Sequence, residues 1–237
     1  VSSSPSAPLA PPERDPALPR VLPAATAGTA AAAYLAVAGW TVRQRLHECG
    51  AVVLRGFEVD LARVVRALSG SAAGTVVRGQ VPDPQPRYVE VLPHHVGAEA
   101  DTWPATLLLH YVHAPEAGGA TTLVDTRRVL RSIDPDVREE FARRGWLGAG
   151  RRHRAVHLHP ETGEAVWFNG VLTSPYFGDG EPVPGDVLAH LRDGYRAASR
   201  RFVPRRNDVL LVDNMLVAHG REPYTGRRVV AAAETVR

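Results

Sequence analysis

The spacing of apolar and polar positions divides the chain into a helical first part and a strand-rich remainder. Residues 1–22, "VSSSPSAPLAPPERDPALPRVL", show no period, and their Pro/Ser/Ala content predicts a flexible or extended arm ahead of a single domain over 23–237. Residues 27–48 read as a helix closing in "RQRLHECG", with Gly50 as the stop. "AVVLRGF" is a continuous apolar run bounded by glycine, which predicts a buried strand. "DLARVVRALSG" reads as a short amphipathic helix with Asp60 as N-cap and Gly70 at its end. From Tyr88 onward the pattern predicts strands in "RYVEVLP", "TLLLHYVHA", "ATTLVD", "AVHLHP", "EAVWFN", "DVLLVDN" and "RRVVAAAETV". Helical segments interrupt them at "DPDVREEFARRG", with Asp134 and Pro135 placed for a cap and first turn, and at "PGDVLAHLRDGYRAASRRF". Many short strands with Gly/Pro turns and a few helices predict a mainly β fold, a double-sheet jelly roll with flanking helices. No internal repeat is visible.

Composition adds bounds. At 237 residues with 44% apolar and 22% charged content, the chain can bury one substantial core. All basic charge is arginine, and the net charge is only +3. The arginines are scattered, with pairs such as Arg151-Arg152 and Arg205-Arg206 rather than a basic stripe, so a nucleic-acid partner is not expected. The single cysteine, Cys49, excludes an internal disulfide and a cysteine-based zinc site, and fits a buried structural thiol in a reducing cytoplasm. The apolar stretch Ala24–Trp40 is made of small residues and is too short and weak for a membrane span.

Three segments carry the chemistry: "VLPHHVGAEADTWPATLLLHY", "APEAGGATTLVD" and "NDVLLVDNMLVAHGREPYTGRRVVAAAE". Together they resemble the TauD/TfdA family of Fe(II)/2-oxoglutarate-dependent oxygenases, particularly its natural-product branch, and "HPETGEAVWFN" and "GDGEPVPGDVL" extend the likeness. The resemblance implies a double-stranded β-helix of the TauD/TfdA type, with Fe(II) and 2-oxoglutarate as cofactors. It also implies that His94 and His219 hold the metal on one face, leaving the opposite positions for cosubstrate and O2. Arg228 would grip the far carboxylate of 2-oxoglutarate with its planar guanidinium, assisted by Thr121 after the Gly118-Gly119 pair. Arg227 is the weaker candidate for that cation. Trp167 and Phe168 are expected in the core on the cofactor side, and Asp213 and Asn214 are expected to hold the local turn.

The pattern departs from the family at one ligand. Counting back from Trp103-Pro104 makes His94 the proximal histidine and puts Val96 where a Glu or Asp should stand. On a strand of period two, His94 and Val96 share a face and His95 points away. A one-residue slip pairs His95 with Gly97, again without a carboxylate. Three outcomes stay open: Glu99, Asp101 or water completes the site; chloride fills the third position, as in related halogenases; or no iron is held. A second departure is "FARRGWLGAGRRH", where the family has a longer covering segment. The expected activity is a hydroxylase- or halogenase-type oxidoreductase acting on an amino-acid-like or carrier-protein-bound intermediate of antibiotic-type biosynthesis. The alternative is a metal-free pseudo-oxygenase serving as a redox-neutral catalyst or a scaffold subunit. The expected partners are a small-molecule substrate and at most further copies of the chain, with no membrane.

Overall fold

The computed structural model describes residues 17–69, 75–81 and 87–235. The strands in chain order are β1 (Arg20–Pro23), β2 (Ala51–Arg55), β3 (Thr75–Val81), β4 (Val91–His94), β5 (Thr106–His113), β6 (Ala117–Gly118), β7 (Thr121–Asp125), β8 (Trp146–Gly148), β9 (Arg151–His153), β10 (Val156–Leu158), β11 (Ala165–Trp167), β12 (Ser199–Phe202), β13 (Val209–Asp213), β14 (Val217–Arg221), β15 (Tyr224–Thr225) and β16 (Val229–Thr235). The helices are α1 (Ala31–Cys49), α2 (Leu61–Ser69), α3 (Thr126–Ser132), α4 (Pro135–Arg144) and α5 (Gly185–Ala198).

A six-stranded sheet in the order β1-β2-β13-β5-β16-β3 faces a four-stranded sheet in the order β12-β7-β14-β4. Its central strands bury both faces, which is why "AVVL" and "VLLV" read as unbroken apolar runs. Val52, Leu54, Val209 and Leu211 face the layer formed by α1 and α2. Ala51, Val53, Leu210 and Val212 face the core shared with the smaller sheet. The result is the mainly β jelly roll, with helices outside, that the sequence predicts. Among the described residues no helix is long and apolar enough to cross a membrane.

The expected stop at Gly50 forms: its φ of 79° is left-handed and its N–H bonds to Leu46 O. Asp60 caps α2 by accepting from the Arg63 N–H at 3.1 Å, whereas the Gly70 end lies outside the described residues. Asp134 occupies the cap position of α4, but its side chain makes no capping bond; Pro135 alone presets the first turn. Cys49 is buried, with its thiol 2.8 Å from the Arg45 carbonyl. The arm read over 1–22 lies outside the described residues as far as residue 16, and Arg20–Leu22 pair in parallel with β2. The helix α3 is not visible in the apolar pattern, being short and started by the side chain of Asp125, which accepts from the Arg127 N–H at 2.9 Å.

Candidate metal and anion site

Antiparallel pairing of β14 with β4 sets His219 opposite His94, and their ring centroids lie 4.8 Å apart. The Nδ1 of His94 lies 3.0 Å from the Leu92 carbonyl. A carbonyl only accepts, so Nδ1 carries the proton and Nε2 keeps its lone pair, the tautomer that an orienting carbonyl imposes on metal-binding histidines. His219 has a buried Nδ1 with no hydrogen-bond partner. Burial pushes its pKa down to about 3, with His94, His95 and Arg228 adding to the shift. A neutral imidazole at neutral pH is the form that binds a cation.

The backbone leaves the strand directly after His94, so Val96 does not follow at the strand period. Residues 96–99 form a turn, closed by the Ala100 N–H on the Gly97 carbonyl at 2.9 Å and made possible by Gly97 at φ 72°. His95 turns into the core, with Nδ1 2.6 Å from Asn214 O and Nε2 3.2 Å from Trp167 O. The slipped register is thereby removed, because both His95 nitrogens face backbone carbonyls inside the protein. Asn214 clamps Val96 from both sides: its Oδ1 accepts from the Val96 N–H at 3.0 Å and its Nδ2 donates to the Val96 carbonyl at 2.9 Å. Asp213 accepts from the N–H groups of Met215 and Leu216 and from His159 Nε2 at 2.9 Å. These two residues hold the local turn.

Burial also pushes the pKa of His95 down to about 4, far from its ordinary 6.5. The unfolded chain therefore takes up this proton first as pH falls, and folding loses stability from about 6.5 down to about 4. In metal-free protein, urea unfolding at a series of pH values should show a loss of up to about 1.4 kcal/mol per pH unit from this group. The non-titrating variant His95→Gln should reduce that slope, leaving the share that the likewise depressed His219 contributes; an unchanged slope would assign it elsewhere.

Among the described residues no carboxylate joins the two imidazoles. Glu99 is exposed, on the rim of a cavity of about 460 Å³ that His94, Val96, Trp146 and Thr173 also line. Asp101 points to Arg151, 3.3 Å away. Among the described residues no group of three His, Cys, Asp or Glu side chains is placed to hold a metal ion. The donor set fits a divalent cation with two nitrogen ligands and its remaining positions open to small oxygen or halide ligands. The short segment after Phe141 folds as the β8–β9 hairpin, which turns at Ala149 and Gly150.

The anion-binding candidates converge elsewhere on the same barrel. Tyr111 Oη and Thr121 Oγ1 are 2.6 Å apart and buried. The Arg228 guanidinium carbon lies 5.6 Å from the Tyr111 ring centre and 5.8 Å from that of Tyr224. Arg227 is exposed. The glycine pair matters here: a Cβ on Gly118 would sit 2.2 Å from Pro223 O, and one on Gly119 3.0 Å from Tyr224 Cβ. Only glycine lets β6 lie against β15 and bring Tyr224 beside Arg228. Trp167 and Phe168 are fully buried in the core. Sequence reasoning passed over Tyr111, which reads as one more strand residue in "TLLLHYVHA"; its polar tip at an inward position was the available signal.

A two-sheet jelly roll with facing histidines on adjacent strands and a half-buried arginine beside a buried pair of hydroxyls defines a class of proteins. Residues 30–233 match the family model described as "Taurine catabolism dioxygenase TauD, TfdA family", and the chain belongs to that family. It is 23% identical to the "Dapdiamide synthesis protein DdaC" of Enterobacter agglomerans over 79% of this chain and 82% of that one. It is 27% identical to the "Clavaminate synthase-like protein At3g21360" of Arabidopsis thaliana, with the same coverage. The structure of PvcB from Pseudomonas aeruginosa superposes with a TM-score of 0.67 at 22% identity, covering 92% of this chain and 86% of that one. A second structure of PvcB, "an Fe, alpha-ketoglutarate dependent oxygenase from an isonitrile synthetic pathway", superposes with the same TM-score of 0.67 at 23% identity.

Proposed function

We propose that this protein is an Fe(II)/2-oxoglutarate-dependent oxidoreductase, of hydroxylase or halogenase type, acting on an amino-acid-like or carrier-bound intermediate of specialised metabolism in a reducing cytoplasm. The observation that carries the reading is the juxtaposition of His94 and His219 at 4.8 Å, in a chain of this family. His94 and His219 would hold iron, while Arg228 and Thr121 would hold the far carboxylate of 2-oxoglutarate. Iron with that cosubstrate supplies the oxidising chemistry that couples O2 to succinate and CO2 formation. The chain's own part is to orient: Leu92 O fixes the His94 tautomer, Asn214 fixes the turn at Val96, and the apolar wall of Trp146 limits water on one side of the cavity. The relatives named for dapdiamide synthesis and an isonitrile pathway support a small biosynthetic substrate.

The test is anaerobic titration of metal-free protein with Fe(II) and 2-oxoglutarate, followed by the weak visible charge-transfer band of their chelate. A saturable band is expected, and O2 turnover with and without chloride then separates halogenation from hydroxylation. No band, with no metal by elemental analysis, would overturn the reading in favour of a metal-free pseudo-oxygenase.

A further inference from the structure

The polar side chains that line the cavity of about 460 Å³ beside the histidine pair are His94, His95, Glu99, Trp146, Thr173 and Ser174. Five of them have their protons engaged inside the protein. Thr173 Oγ1 donates to Gly170 O at 2.9 Å, and Ser174 Oγ donates to Leu147 O at 2.8 Å. Trp146 Nε1 donates to Arg154 O at 3.1 Å, which leaves the six-membered ring of the indole against Gly148 and Gly170. The His94 Nδ1 proton goes to Leu92 O, and both His95 nitrogens face backbone carbonyls. The sixth residue, Glu99, is a carboxylate on the rim. A Cβ on Gly148 would lie 3.1 Å from Glu99 Cβ and 2.5 Å from the Trp146 ring, so the absence of that atom brings the acid beside the indole. Asp101, two residues on, is paired with Arg151, whereas no ion pair or hydrogen bond joins the Glu99 side chain to another described residue.

The side chains of this wall therefore offer acceptors and no free donor. A carboxylate only accepts, and a hydroxyl whose proton is engaged still has lone pairs to give. A substrate carboxylate or sulfonate would find no side-chain donor here and would meet the charge of Glu99. An ammonium group, with three donors and no acceptor, is the complementary partner. We propose that the cavity takes a substrate bearing a free primary ammonium and a masked carboxyl, an amino ester or amide rather than a free amino acid, with Glu99 as the residue that selects the ammonium and the Thr173 and Ser174 hydroxyls as further acceptors. On an open rim such an ion pair would be worth little. A substrate seated against Trp146 and Val96 displaces water from around the pair and strengthens it. The inference rests on the function proposed above and names a substrate class for it, and its test keeps the two apart.

The experiment is anaerobic calorimetric titration of the protein loaded with Fe(II) and 2-oxoglutarate, using the methyl esters of a panel of L-amino acids, each beside its N-acetyl methyl ester and its free acid. At least one amino ester should bind, with its N-acetyl ester and its free acid weaker by about tenfold, the scale of one charge-assisted hydrogen bond. Glu99→Gln should weaken that amino ester by about tenfold and leave the N-acetyl ester unchanged. Equal binding of the amino ester and its N-acetyl form, tighter binding of the free acid, or unchanged amino-ester binding in Glu99→Gln would each overturn the inference. A loss of Fe(II) affinity in Glu99→Gln, read by chelator competition, would also overturn it, because the acid would then belong to the metal. The visible band of the iron chelate, followed in the same samples, reports the proposed function separately. A band with no amino ester bound defeats this inference alone, whereas no band defeats the proposed function and the inference with it. Thermal unfolding confirms that Glu99→Gln is folded when compared.

Discussion

Replacing Arg127 with Met is expected to lower the free energy of unfolding by about 3–5 kcal/mol, the scale for removing one partner of a buried ion pair. Arg127 and Asp125 are both almost fully buried, and the guanidinium spans the carboxylate with Nε and Nη2 at 3.0 and 2.9 Å. The same guanidinium donates to Glu164 at 3.0 Å and to the last carbonyls of α1, His47 O at 3.3 Å and Glu48 O at 3.2 Å. One side chain therefore neutralises a buried acid, caps the C-terminal end of a helix and ties in the loop before β11. Met fills a similar volume but leaves Asp125 as an uncompensated charge while that carboxylate still caps α3. Denaturant unfolding measures the loss, and Asp125→Asn with Arg127→Met together should recover part of it. A loss under about 1 kcal/mol, the value of an exposed pair, would show that water reaches the pair.

The contrast between this residue and the histidines proposed to hold metal explains what the sequence can disclose. Continuous apolar runs marked β2 and β13, glycine marked the end of α1, and Asp60 marked the start of α2, because each signal is local. His94 and His219 were legible through the resemblance that their surrounding segments carry. Arg127 was not: its partners are 2, 37 and about 80 positions away, and only the tertiary structure brings them together. Tyr111 on β5 is a similar case, since its partner Thr121 lies on β7 of the facing sheet. The backbone at Val96 was not legible for a different reason. A period-two argument holds only while a strand lasts, and the Gly97 turn with its Asn214 clamp ends the strand one residue too early.

Introducing a carboxylate as Val96→Glu is expected to tighten Fe(II) binding by about 100-fold, at least the upper end of what partners one shell removed from a metal contribute. Asn214 grips Val96 only through its backbone, so the clamp survives the change of side chain. Val96 lines the same cavity as His94, so the new carboxylate is expected on the His94 side of the candidate pair. An anionic oxygen there would complete the two-histidine, one-carboxylate face and offset a cation that the present donor set leaves uncompensated. Without metal the same carboxylate is partly buried beside an apolar wall, so the metal-free variant should unfold at a lower temperature than the native chain and the metal-loaded variant at a higher one. A chelator competition titration reads the affinity, and Val96→Asp tests a shorter reach from the same backbone position. If chloride occupies the third position in the native protein, its effect on turnover should disappear in Val96→Glu. Unchanged Fe(II) affinity in both variants would mean that residue 96 does not face the metal. The two-histidine pair would then have to be completed from another side of the cavity, with Glu99 on its rim as the next residue to replace.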